Sequence, residues 1–139
     1  MTSSVTWGAG IFQDDLASGF VGDIAQAPDL SLLRVALSRA GQAVGHLLYE
    51  PAIYALIAAE VLASVGGRPP KILPPELARW VADHREDRVP PALWPMAADA
   101  VERVKQDSEL SELWARSDAE GKWLSKVDDL LERLKAASA

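Results

Sequence analysis

Residues 51–65, PAIYALIAAEVLASV, constrain this chain more than any other stretch. They carry one charge, Glu60, while Ile53, Leu56, Ile57, Val61, Leu62 and Val65 put apolar bulk on nearly every side. A helix that is apolar almost all round has to be enclosed by other elements. Glu60 in its middle then needs a partner, because an ionised carboxylate is almost never fully buried alone. The sequence therefore predicts a bundle built around this helix, and it asks what satisfies Glu60.

Residues 1–13 (MTSSVTWGAGIFQ) have no helical period and mix aromatic groups with glycines, which suits an irregular segment. Trp7 and Phe12 read as anchors dropped into the core. The Trp7 indole and the glycine-exposed amides are donors of the kind Glu60 lacks, so Glu60 is expected to be hydrogen-bonded to residues 5–12. Asp14 reads as the cap of a helix running to about Ala25, with Asp15 favouring the same end. Leu16, Phe20, Val21 and Ile24 are its apolar stripe. Gly19 and Gly22 weaken that helix, which suggests close packing there.

A second helix spans 30–41, with Leu30, Leu33, Leu37 and Val44 assigned to one face. Pro51 fits the first helical position of the central helix, and Gly66-Gly67 ends it. The four prolines of 68–75 make a stiff crossover. A short helix over 76–83 turns Leu77, Trp80 and Val81 inward, and a charged loop (HREDRV) follows. A further helix from about Ala92 places Pro95 in its first turn, where the N–H has no partner to lose. Met96, Ala100, Val101 and Val104 face inward from it. Ser108 caps a restart over 107–114, and Ser117-Asp118-Ala119-Glu120 matches a capping box for a last helix with Trp123, Val127, Leu130, Leu131 and Leu134 inward. No strand-like alternation of useful length occurs. The expected fold is an all-α single domain of six to seven helices around 51–65, with residues 1–13 as an irregular segment packed on it.

The opening Trp7, Gly8, Gly10, Phe12, Asp14 and Asp15 form W-G-x-G-x-F-x-D-D. With the helix around Glu60, the proline crossover, the Trp-bearing short helix and S-E-L-x-E-L-W at 108–114, the chain resembles the bacterial domain-of-unknown-function 4259 family over nearly its whole length. Leu16 stands where that family usually has Ala after D-D. The resemblance implies a fold and a set of linked positions, and no reaction.

Net charge is −6, which disfavours a nucleic-acid partner, since phosphate binding wants clustered Lys and Arg. The absence of cysteine removes thiol chemistry and disulfides. The start of the chain does not resemble a signal peptide, and the central helix is short of the ~20 residues a membrane span needs. A cytoplasmic protein, monomeric or homodimeric, with no membrane association and no cofactor, is expected.

Asp14, Asp15, Asp23, Glu50 and Glu60 are the carboxylates that could converge on a divalent cation or supply an acid–base pair. Each is also explained by its position, as cap, helix end or buried acceptor, and no ligand spacing such as D-x-D-x-D-G accompanies them. His46 and His84 lack acidic or histidine partners at helical spacing and read as surface or helix-terminus residues. Of the tryptophans, Trp7, Trp80, Trp114 and Trp123 fall on apolar faces. Trp94, between Leu93 and Pro95, is the one expected to be exposed as an interaction anchor. The binding candidates are Trp7, Asp14, Asp15, Glu60 and Trp94, with no catalytic or metal residue among them. The leading functional reading is a non-catalytic protein-binding or accessory module, with the toxin-neutralising immunity type as one subclass. A small-molecule or cation site on Glu60 with Asp14 and Asp15 is the alternative, and a self-associating structural module is a third.

Overall fold

The computed structural model of the chain describes Phe12 and residues 15–85 and 88–139. Seven α-helices run through them in order: α1 Asp15–Ala25, α2 Ser31–Gly41, α3 Tyr49–Val65, α4 Pro75–His84, α5 Leu93–Gln106, α6 Glu109–Ala115 and α7 Glu120–Ser138. No strand occurs among the described residues; one isolated parallel bridge joins Leu47 and Ser108. The fold is an all-α bundle, as the apolar periodicity requires.

The central position of α3 follows from its sequence. From Pro51 to Val65 every residue but Tyr54 is buried, and α3 touches each of the other six helices. Burying a Leu or Ile side chain stabilises by about 1.5–3 kcal/mol. Leu56, Ile57 and Leu62, all at 0% exposure, therefore make α3 the energetic centre of the core. Tyr54 stacks on Phe20 of α1, ring centroids 4.4 Å apart. Ser64, also buried, donates to the Glu60 carbonyl at 2.8 Å, so its hydroxyl stays satisfied inside the helix. No helix among the described residues is long and apolar enough to cross a membrane.

Both prolines near helix starts are tolerated for the same reason. Pro51 and Pro95 are the third residues of α3 and α5, one turn in, where no intrahelical acceptor exists for the missing N–H. Pro51 is thus two residues inside the helix rather than at its first position.

The inward faces of α2, α4 and α5 agree with the pattern: Leu33, Leu37, Leu77, Trp80, Val81, Ala100, Val101 and Val104 are buried. Met96 and Leu131 are partly buried against the core, and Phe12 is buried at 8% exposure. Three expectations are corrected. Val44 is 99% exposed, because α2 ends at Gly41 and the helical period does not extend past it. The Ser117 capping box does not form: its Oγ donates to the Trp114 carbonyl and accepts from the Ala119 amide. Ala119 itself is the N-cap of α7. Gly19 and Gly22 are not in close contact, since no described atom lies within 4 Å of a Cβ built on either. Gly19→Ala should accordingly stabilise the protein by about 0.5–1 kcal/mol through helix propensity, read as a raised midpoint in urea unfolding.

Candidate functional site

Glu60 is fully buried, and Arg133 of α7 answers it. The guanidinium donates from Nη1 to Oε1 at 2.8 Å and from Nη2 to Oε2 at 3.0 Å, a two-pronged pair across 73 residues of sequence. Its Nε donates to Asp129 one turn earlier at 2.7 Å, and Nη1 also reaches the Arg68 carbonyl. Burial works against the Arg133 charge, but the hydrogen bonds and charge of Glu60, then of Asp129, outweigh it and hold its pKa above the ordinary arginine value. Arg133 thereby ties α3, the start of the crossover and α7 together.

Trp7 and Asp14 lie outside the described residues, as does the side chain of Asp15, so a bond from residues 5–12 to Glu60 lies outside them too. Trp94 is partly buried against the core. Its ring edge rests where a side chain on Gly66 would be, beside Ala137 of α7. That seat replaces the free indole read from the sequence. Trp80 is buried and donates to the Ala27 carbonyl at 2.9 Å, and Trp114 stacks on Trp123 with centroids 6.2 Å apart. Asp23 is exposed, and Glu50 faces Arg39 at 3.5 Å. No group of three or more acidic or histidine side chains among the described residues could hold a metal ion.

A second polar constellation among the described residues lies where the segment between α2 and α3 meets the α5–α6 junction. Gly45 takes φ +78°, a left-handed turn that favours glycine, and swings the chain so that Leu47 is buried at 1% exposure. The Leu47 amide donates to the Asp107 carbonyl at 3.2 Å, and the Glu109 amide donates back to the Leu47 carbonyl at 2.8 Å. Glu109 Oε1 then accepts from the Tyr49 amide at 2.6 Å. Leu48, the N-cap of α3, provides no side-chain cap, so a carboxylate from α6 does this work for the central helix. Ser108 is held by a reciprocal box with Ser111 at the start of α6 and donates to the Val104 carbonyl.

His46 closes the arrangement. Its Nδ1 lies 2.6 Å from Asp107 Oδ1 and its Nε2 lies 3.0 Å from Glu112 Oε1. A neutral imidazole could donate to only one of these oxygens and would turn a lone pair on the other. The imidazolium donates to both. The hydrogen bonds to Asp107 and then Glu112 accordingly raise the His46 pKa above its ordinary 6.5. Arg103 completes the frame by donating from Nη2 to the Gly45 carbonyl, with its Nε 3.7 Å from Asp107. These partners lie 61 and 66 residues from His46, so no local spacing announced them. His84, by contrast, stacks on Trp80 and donates from Nδ1 to its carbonyl, as a helix-end histidine does.

This clip offers no nucleophile. The Ser108 hydroxyl is buried and bonded to Val104, and the Ser111 hydroxyl donates back to the Ser108 carbonyl. It is a fastening with a pH response. Since the folded His46 pKa is raised, its stabilisation is fully present below the unfolded pKa of about 6.5 and is lost as pH rises through the folded value. Thermal melts across that window should therefore fall more steeply with rising pH in the wild type than in His46→Gln.

An all-α bundle with an enclosed central helix and a clipped linker is the class the fold defines. The family model described as "Domain of unknown function (DUF4259)" matches residues 5–126, and the chain belongs to that family. No curated protein and no solved structure matches it.

Proposed function

We propose that this protein acts by binding another protein, without chemistry of its own, through the face formed by residues 44–48 and α6. One observation carries the reading: Val44, Leu48 and Leu113 are 99%, 60% and 50% exposed around a frame fixed by backbone hydrogen bonds. Large aliphatic side chains exposed to water are suited to burial against a partner. Asp107, Glu109 and Glu112 stand beside them in a chain of net charge −6, which favours a partner rich in Lys and Arg. A cytoplasmic immunity-type protein that masks a basic toxin is one form such a module takes. The Trp94 face is the weaker candidate, because its indole already has a seat. A cation at Glu60 would have to displace Arg133 from both carboxylate oxygens.

The test is a photo-crosslinking amino acid placed at Val44 and at Leu48 in the cells that make the protein. One basic protein should be captured at both positions, and capture should fail when Leu113→Asp is added. Ile72, 56% exposed on the crossover, is the control and should capture nothing. Equal capture from all three positions, or none from 44 and 48, would refute the reading.

A further inference from the structure

At the other end of α2, about 16 Å from the clip along an 11-residue helix, a concavity of about 400 Å³ opens between the start of α2 and the segment entering α5. Leu30 and Leu93, 8% and 2% exposed, line it with buried apolar surface, and Pro90 adds to it. Arg34 and Arg88 also line it and are themselves exposed. Elsewhere in the chain Arg39, Arg103 and Arg133 each face a carboxylate, whereas Arg68, Arg79, Arg85 and Arg116 make no such pair among the described residues. Neither Arg34 nor Arg88 has such a partner among the described residues. What sets these two apart is that they line one concavity together over an apolar floor, in a protein of net charge −6.

We infer that this groove binds a small organic anion, an apolar body bearing a single carboxylate or phosphate, with the headgroup between Arg34 and Arg88 and the body on Leu30, Pro90 and Leu93. The volume suits a ligand of that size, and guanidinium groups match planar oxyanions through paired hydrogen bonds. Asp29, also in the lining, accepts from the Ser31 amide at 2.9 Å. It thus occupies the start of α2 and directs the headgroup to the arginine side. Its own negative charge disfavours ligands of high charge. This reading is independent of the protein-binding face: it uses different residues at the opposite end of α2.

The test is a methyl-detected NMR titration of the full chain at low salt, where exposed charges are least screened. The probes are benzoate, phenyl phosphate, inorganic phosphate and benzyl alcohol. Benzoate or phenyl phosphate should produce saturable shifts of the Leu30 and Leu93 methyls, and the tighter of the two identifies the headgroup. Benzyl alcohol should not saturate, and inorganic phosphate should bind more weakly than phenyl phosphate. Arg34→Gln and Arg88→Gln, both exposed changes that leave the core alone, should each weaken binding about tenfold. Absence of saturation with both organic anions, or affinity unchanged in the two variants, overturns the inference.

Discussion

Replacing Arg133 with methionine should destabilise the protein by about 3–5 kcal/mol, the cost of leaving a buried charge without its counter-charge. The two partners are unequal. Glu60 has no exposure at all, whereas the Arg133 side chain keeps 15% and has Asp129 and the Arg68 carbonyl within reach. Removing the acid leaves an arginine that still has Asp129, the Arg68 carbonyl and some water; removing the arginine takes two hydrogen bonds and the counter-charge from a carboxylate that has no contact with solvent. Arg133→Met should therefore cost more than Glu60→Leu. Glu60→Gln should cost least, because its amide oxygen still accepts from the guanidinium.

The double variant Glu60→Leu with Arg133→Met separates a net stabilising pair from one that is merely costly to break. Buried ion pairs replaced by apolar groups of similar volume are often neutral. The double variant should thus recover most of what Arg133→Met loses, giving a large coupling energy in a cycle of urea midpoints. Additive losses would mean that Arg133 acts through packing alone.

That pair also marks how far the sequence could be read. The enclosed character of 51–65 and the burial of Glu60 follow from composition within one segment, and so do the inward faces of α2, α4 and α5. The pairing of Arg133 with Glu60 does not, because a contact across 73 residues between separate helices has no local period. A cue existed: Arg133 sits between Leu130 and Leu134, on the flank of the stripe that α7 buries. The clip was illegible for the same reason, with His46 held by residues more than sixty positions away. Val44 shows the opposite error, a helical period carried past Gly41 into a stretch with its own turn. Ser117 had the right residue types for a cap, but its hydroxyl is used by the turn that leaves α6.

Gly66→Ala should destabilise by about 1–3 kcal/mol, the range for overpacking a filled site. A Cβ at this position would lie 2.7 Å from Cη2 of Trp94 and 2.7 Å from Cβ of Ala137. Its φ of −78° is open to any residue, so the cost is contact and not backbone strain. Gly67 beside it provides the contrast. It has φ +89° and open space around it, so Gly67→Ala should cost about 1 kcal/mol through conformation alone. Trimming the neighbours tells the two apart. Gly66→Ala combined with Trp94→Leu and Ala137→Gly should regain stability relative to Trp94→Leu with Ala137→Gly alone, while the same background should leave the Gly67→Ala loss unchanged. Tryptophan emission should shift in Gly66→Ala, where the Trp94 ring must move, and stay put in Gly67→Ala. A Gly66→Ala protein as stable as the wild type would show that Trp94 is not seated on this glycine, and would return the indole to the surface as a candidate for partner contact.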